Sequence, residues 1–333
     1  MKKILLIATG GTIASKPTSA GLAPQISSEE ILSYVPEAAE LCSITTLQLF
    51  NLDSTNINYL HWQKIARCLQ QNYDLYDGFV ITHGTDTMAY SVAALSYLIQ
   101  NSRKPIVFTG SQKSIYEKDT DARNNLLNAF IYAADDRACG VHLVFDGRVI
   151  LGTRARKTRT KSYNAFSSID YPEVAIFRDH RLIYYVEEHI SQSVPDFYTE
   201  LNPRVFVLKL IPGMNAEIIH YLQQHYDALI IESFGVGGVP CYKDECFLEA
   251  IQQFLAAGKT IVMATQVPHE GSDMEVYQVG YHLKEKFELI EAYTMTIESA
   301  LTKLMWILTQ TQDREQIRSY FYTPVQKDIL IPQ

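Results

Sequence analysis

The chain has 333 residues, 47% of them hydrophobic and 20% charged, which excludes disorder, a collagen-like repeat and a disulfide-stapled miniprotein. At ~150 residues per domain this length predicts two domains, each able to bury a sizeable core. The formal charge of −8 repels phosphate backbones and argues against nucleic acid as the main ligand.

No apolar run reaches the ~18 residues of a membrane span, and Ile4 to Ala8 is too short for a secretory signal. The expectation is a cytoplasmic protein with no membrane partner. The scattered cysteines, Cys42, Cys68, Cys139, Cys241 and Cys246, are odd in number and read as reduced thiols.

Short apolar runs predict strands at Ile4 to Ala8, Ile44 to Leu49, Gly78 to Thr82, Pro105 to Thr109 and Val141 to Phe145. Helical periodicity fills the intervals at Asn58 to Gln71, Asp86 to Gln100 and Asp121 to Ala134. Strands apolar throughout, separated by amphipathic helices, imply a doubly wound α/β domain with a parallel sheet covered on both faces. From Tyr171 to Asn202 the pattern loosens, leaving one strand at Leu182 to Val186. The rhythm resumes with strands at Val205 to Leu210, Ala228 to Ile231 and Thr260 to Ala264. Helices follow the same pattern at Asn215 to Gln224, Glu245 to Ala257, Thr296 to Gln310 and Arg314 to Phe321. The division expected is a catalytic α/β domain over 1–190, a linker over 191–203 and a smaller α/β domain over 204–333.

Ligands of open α/β sheets sit beyond the carboxyl ends of the strands, so the residues that follow each strand carry the functional signal. After the first strand, Thr9-Gly10-Gly11-Thr12-Ile13-Ala14-Ser15 offers a sharp turn and a hydroxyl at the mouth of the sheet. A plain tight turn explains it equally. Neither the dinucleotide fingerprint nor a P-loop fits.

After the third strand comes His83-Gly84-Thr85-Asp86-Thr87-Met88. Asp86 reads either as a site carboxylate or as a helix N-cap. His83 reads as a packed, hydrogen-bonded histidine, since no second histidine stands at metal-binding spacing and no Cys-x-x-Cys occurs. Between Thr153 and Lys161 five of nine residues are basic: Arg154, Arg156, Lys157, Arg159 and Lys161. Such a run is a solvated face, a carboxylate or RNA contact, or the source of a lysine for a base relay. Two threonines on glycine-bearing turns, a carboxylate and a lysine are the parts for attack by an activated hydroxyl, with backbone N–H groups holding the oxyanion.

These residues resemble the bacterial-type L-asparaginase/glutaminase family. The first two motifs match its two signatures. The likeness continues through Thr109-Gly110-Ser111-Gln112, Asn125-Leu126-Leu127-Asn128-Ala129, Ser233-Phe234-Gly235-Val236-Gly237 and Ile297-Glu298-Ser299-Ala300-Leu301-Thr302-Lys303. The resemblance implies hydrolysis of the side-chain amide of L-asparagine, with L-glutamine as a second candidate substrate, and with no metal and no organic cofactor. Thr12 is then the nucleophile, Thr85 and Lys157 the relay, and Asp86 the partner of the substrate α-ammonium. Ser54 would bind the α-carboxylate, with Gly11, Asp53, Thr55, Gly84 and Ser111 completing the substrate site.

It also implies a homo-dimer or homo-tetramer, with Glu270 and Asp273 as candidates to complete a neighbouring subunit's site. Family members carry a tyrosine in the loop after the first signature; here Leu22 takes its place, and Tyr34 is the nearest alternative. Glu232 stands where relatives with a regulatory asparagine site have an arginine, so such regulation is not expected. Two other readings compete. One is the asparaginase-like subunit of a tRNA-dependent amidotransferase. The other is a non-catalytic amino-acid-binding module, which would not require a nucleophile, second threonine and lysine together.

Overall fold

The computed structural model describes residues 1–18, 21–241, 247–276, 287 and 289–331, with the backbone alone described at 17, 18 and 21–24. The chain divides into two compact units, Met1–Thr199 and Glu200–Gln333.

The first unit begins with β1 (Lys3–Gly10), β2 (Ser43–Leu52), α1 (Tyr59–Asn72), β3 (Gly78–Thr82), α2 (Met88–Leu98), β4 (Pro105–Thr109), α3 (Ala122–Ala134) and β5 (Gly140–Phe145). It continues through β6 (Arg148–Leu151), β7 (Ala155–Lys157), β8 (Phe166–Ser168), β9 (Ala175–Arg178) and β10 (Arg181–Tyr184). Eight of these strands form one sheet in the order β10-β9-β6-β5-β4-β3-β1-β2.

The strands β2, β1, β3, β4 and β5 run parallel; β1, β3, β4 and β5 carry the near-continuous buried runs of a sheet covered on both faces, while β2, at the edge, alternates. Ile4, Leu6, Val80 and Val107 face α3 through Leu126 and Phe130 in one buried cluster. Pleat alternation turns Leu5, Ile7, Phe79 and Ile81 to the opposite face, where Tyr73, just after α1, stacks on Phe79 at 5.9 Å.

The far edge differs from an all-parallel sheet. β6, β9 and β10 add antiparallel strands there. Their cause is local. Asp146 and Gly147, with φ of 48° and 71°, form a two-residue turn that pairs Phe145 with Arg148. Asp179 and His180, at 47° and 57°, pair Arg178 with Arg181 in the same way. Positive φ at both central residues suits the right-handed twist of a hairpin.

Helix α2 stops two residues short of the expected Gln100. Ile99 turns extended, Asn101 takes φ 57°, and Ile99–Gln100 pairs with Asp196–Phe197. At its other end Asp86 is not a cap, because the helix starts at Met88 behind Thr87.

The second unit contains β11 (Val205–Lys209), α4 (Glu217–His225), β12 (Ala228–Ser233), α5 (Phe247–Ala256), β13 (Thr260–Thr265), β14 (Ile290–Glu291), α6 (Ile297–Gln310) and α7 (Arg314–Tyr322). Its four strands are parallel in chain order. Leu229, Ile231, Ile261 and Met263 pack against Phe247, Ile251 and Phe254. The expected start of α5 at Glu245 lies outside the described residues. Capping sets the last two helices: Thr296 accepts the Ser299 N–H at 3.1 Å and Asp313 the Gln316 N–H at 2.9 Å. The Lys303 ammonium, fully buried, meets Asp328 at 2.7 Å and the carbonyls of Phe321 and Thr323, so a charge taken out of water keeps its partners.

Candidate active site

The chain runs from β1 to β2 on one side and then crosses back to β3 on the other. That reversal opens a crevice at the carboxyl ends of β1 and β3, the place where such sheets take ligands. The Thr9 hydroxyl donates to the Thr82 carbonyl at 2.7 Å and ties the two strand ends together.

The turns beyond them touch backbone to backbone. A Cβ on Gly11, at φ 82°, would lie 2.3 Å from the Gly84 nitrogen, and one on Gly84 would lie 2.7 Å from the Ser54 hydroxyl oxygen. Any side chain at either position would push the turns apart, so glycine is required by contact at both and, at Gly11, by conformation as well. A third turn, after β2, completes the rim. The Asp53 carboxylate caps the single helical turn Ser54–Asn56, taking the Thr55 N–H and hydroxyl at 2.8 Å each. From the second signature, Thr87 donates its hydroxyl to the Ser54 carbonyl at 2.7 Å.

Three turns thus bring together Gly11, Thr12, Ser54, Gly84, Thr85 and Asp86. Thr12 opens a short helical turn, half-buried, and its hydroxyl has no hydrogen-bond partner among the described residues. The Ser54 hydroxyl is likewise unpaired among them, although the residue is buried. Asp53 commits one carboxylate oxygen, Oδ1, to Thr55, and the pair shapes the Ser54 turn. Ser111, also buried, donates to the Lys113 carbonyl of its own loop.

Lys157 arrives on β7, paired with β8 so that it stands opposite Phe166. Its Nζ donates to Thr85 Oγ1 at 2.8 Å and to Asp86 Oδ1 at 2.6 Å. The lysine side chain is 16% exposed and the aspartate 58%, so the cation is held inside while the carboxylate faces outward. The rest of the basic run divides by depth: Arg154 is fully buried with its guanidinium 5.7 Å from the Tyr171 ring, whereas Arg159 and Lys161 are exposed.

His83 is buried, and its hydrogen bonds define its tautomer. The Trp62 indole can only donate, and it does so to the Ser91 hydroxyl at 2.8 Å. The Gly84 carbonyl can only accept, so Nδ1–H donates to it at 2.7 Å, and the unprotonated Nε2 accepts the Ser91 hydroxyl at 2.9 Å. The imidazole therefore holds the Gly84–Thr85 peptide by its oxygen. Because a trans peptide points its C=O and N–H in opposite directions, the Thr85 N–H is turned away from the interior.

Burial is the main cause that pulls the His83 pKa down, to about 4, from the ~6.5 of a free histidine. Between those values the unfolded chain binds a proton that the folded chain does not. Stability is therefore full above pH ~6.5 and declines as pH falls toward 4, by about 2 kcal/mol at pH 5 for this group alone. Denaturant unfolding from pH 7 to 5 should show a shallower decline for His83→Gln than for the parent; parallel slopes would contradict the assignment.

The two residues named in connection with the loop tyrosine fare differently. Residues 15–18 and 21–24 form an antiparallel hairpin that sets Pro17 opposite Leu22, and the Leu22 side chain lies outside what is described. Tyr34 ends the short helix Ser28–Ser33 and packs on Tyr116 at 5.6 Å, with the Arg123 guanidinium 5.7 Å from its ring. In the second unit, Glu232 is buried on β12, Asp273 accepts the Glu275 N–H at 3.2 Å, and Glu270 adopts φ 74°.

One neighbour of Thr85 escaped the motif reading. Gln112 was legible only as a member of Thr109-Gly110-Ser111-Gln112. In the structure its side-chain oxygen accepts the Thr85 hydroxyl at 3.2 Å. Its place directly beyond β4, beside the two signature turns, was the signal in the sequence.

The family profile "Asparaginase, N-terminal" matches residues 3–189, and "Glutaminase/Asparaginase C-terminal domain" matches residues 204–321. An L-asparaginase of Thermococcus kodakarensis is 38% identical, over 95% of each chain. A solved structure of the thermostable L-asparaginase from that organism superimposes with a TM-score of 0.93 at 37% identity, covering 99% of this chain and all of that one. A Glutamyl-tRNA(Gln) amidotransferase chain of Metallosphaera sedula is 33% identical, over 96% of this chain and 75% of its own length. The solved structure of a probable cytoplasmic L-asparaginase from Campylobacter jejuni gives a TM-score of 0.83 at 25% identity, covering 96% of this chain and 99% of that one. With both of its units matched along most of their length, the chain belongs to the asparaginase family.

Proposed function

We propose that the protein hydrolyses the side-chain amide of L-asparagine to L-aspartate and ammonia through an acyl-enzyme on Thr12. One observation carries this reading. The Thr12 hydroxyl is free among the described residues, and its turn is packed against the turn whose Thr85 and Asp86 are gripped by Lys157.

In the first half-reaction the Thr12 oxygen bonds to the amide carbon and the carbon–nitrogen bond breaks. The hydroxyl proton leaves with the nitrogen, which departs as ammonia. In the second, a water oxygen bonds to the same carbon and the ester bond to Thr12 breaks. One water proton returns to the Thr12 oxygen, and the aspartate carboxyl loses the other to solvent.

Thr85 and Lys157 serve these proton movements, since an unassisted threonine hydroxyl is a weak nucleophile. Developing negative charge on the carbonyl oxygen needs backbone N–H donors, which the glycine turns present. Asp86 keeps one carboxylate oxygen for the substrate ammonium, and Ser54 offers its hydroxyl to the substrate carboxylate.

A homo-dimer or homo-tetramer and a cytoplasmic location belong to the same proposal. The description of the Campylobacter jejuni relative as cytoplasmic supports the location. Among the described residues no helix is long and apolar enough to cross a membrane.

The purified protein should release ammonia steadily from L-asparagine without added tRNA. Its kcat/KM for L-asparagine should exceed that for L-glutamine by about 10-fold or more, since one methylene in a fitted pocket is worth ~1–3 kcal/mol. Equal values for the two amides would refute the stated preference; no ammonia from either would refute the activity.

A further inference from the structure

We infer that Gln112 is a positioning residue for this reaction: it sets the direction of the Thr85 hydroxyl proton and thereby which face of that oxygen the site can use. The inference rests on the reading of Thr85 and Lys157 as the proton relay.

The hydrogen-bond chemistry leaves one arrangement. Lys157 is an ammonium and can only donate, so at 2.8 Å it uses a lone pair of Thr85 Oγ1. The single proton of Thr85 then goes to Gln112 Oε1 at 3.2 Å. The amide could in principle be flipped, but its other end decides the matter. Gln112 Nε2 lies 3.1 Å from the Ser162 carbonyl, which can only accept, so nitrogen must face Ser162 and oxygen must face Thr85.

With its proton committed to Gln112 and one lone pair to Lys157, Thr85 turns its remaining lone pair elsewhere, as an acceptor. A hydroxyl free to rotate would spend part of its time presenting its proton instead. An amide oxygen does not become protonated near neutral pH, so Gln112 orients the hydroxyl without draining the relay.

The glutamine is itself held from behind. Its backbone N–H reaches both oxygens of Asp121, at 3.1 and 2.9 Å, and the Lys113 N–H reaches Asp121 at 3.1 Å. Asp121 is buried just ahead of α3, where Asn125 Nδ2 donates to it at 3.2 Å and to the Gly110 carbonyl at 3.0 Å. The loop from 110 to 113 is thereby clamped to the start of that helix. At its far end, the grip on Ser162 joins Gln112 to the loop between β7 and β8, the hairpin that delivers Lys157. Tyr163 adds a hydroxyl contact to the Asp119 carbonyl. One side chain thus fixes the hydroxyl of Thr85 and steadies the strand that carries its partner.

Two substitutions separate orientation from packing. Gln112→Met keeps the approximate length and removes the acceptor. Gln112→Glu keeps an acceptor for Thr85, at the cost of an added negative charge and of the donor to Ser162, an exposed residue whose carbonyl water can satisfy. Steady-state kinetics at pH 8 should show kcat of Gln112→Met down about 10- to 100-fold with KM within about threefold, as for a misoriented catalytic group. Gln112→Glu should recover kcat to within about fivefold of the parent. Unchanged kcat in Gln112→Met would overturn the inference. Equal losses in both variants would overturn it too, since a retained acceptor for the Thr85 hydroxyl would then make no difference. Failure of the parent to release ammonia would instead refute the activity, leaving the two ideas separable.

Discussion

Replacing Lys157 with methionine should lower kcat by about 1,000-fold while the fold and the melting temperature stay close to those of the parent. General acid–base groups contribute ~10²–10⁴ to rate, and Lys157 is the one cation seen to touch both Thr85 and Asp86 among the described residues. Its contribution to stability is small for a physical reason. Asp86 is 58% exposed, and a half-solvated ion pair is worth about 1 kcal/mol or less. KM should change far less than kcat, because substrate contacts fall to Ser54 and the free oxygen of Asp86. Lys157→Arg should not restore the rate: the larger planar guanidinium does not reproduce the one-atom grip of the ammonium on two oxygens at 2.8 and 2.6 Å, and it does not release a proton. Steady-state kinetics of both variants, with thermal unfolding alongside, check this. A Lys157→Met enzyme within tenfold of the parent kcat would remove Lys157 from the relay.

Much of the fold is legible in the residues because burial on both faces leaves a plain mark. Ile4 to Ala8 and Gly78 to Thr82 are apolar enough to read as central parallel strands, and they are. The antiparallel edge is harder to see, since β6 and β9 are only four residues each, one beginning and the other ending on an arginine. Yet its turn chemistry is written at Asp146-Gly147, an adjacent pair with positive φ that redirects the chain after Phe145. The end of α2 is set by tertiary pairing of Ile99–Gln100 with Asp196–Phe197, which no local periodicity encodes.

The candidate site divides along similar lines. Glycine contacts between the first two signatures follow from their position at a topological switch point, so the proximity of the Thr12 and Thr85 turns was readable from topology. The competing explanation of Asp86 as a helix cap gives way to Thr87 standing at the cap position and Lys157 holding the carboxylate. The hydrogen-bonded reading of His83 holds, with partners, Ser91 and Gly84, that only the packed structure supplies. Asp53, Thr55 and Ser111 carry side chains suited to binding a zwitterion, and in the structure one oxygen of Asp53 and the hydroxyls of Thr55 and Ser111 bond to neighbouring loop atoms. Rotamer choice of that kind depends on packing around the loop and leaves no trace in residue type. Gln112 is the converse case, a side chain in an ordinary motif position whose role emerges only when residues 85, 112 and 162 meet.

The central claim is that Thr12 forms the covalent intermediate, and ammonia release by Thr12→Ala tests it most directly. The substitution removes one hydroxyl and one methyl group from a half-buried turn residue whose hydroxyl bonds to no described neighbour, so the native fold should persist by circular dichroism and thermal unfolding. Without the attacking oxygen only substrate binding and oxyanion stabilisation remain, and the rate should fall by about 1,000-fold or more. Thr12→Ser should retain a measurable part of the parent activity because the nucleophilic oxygen is kept. Loss in the alanine variant with a native fold is the predicted result; a folded Thr12→Ala protein releasing ammonia from L-asparagine within tenfold of the parent rate would contradict the account.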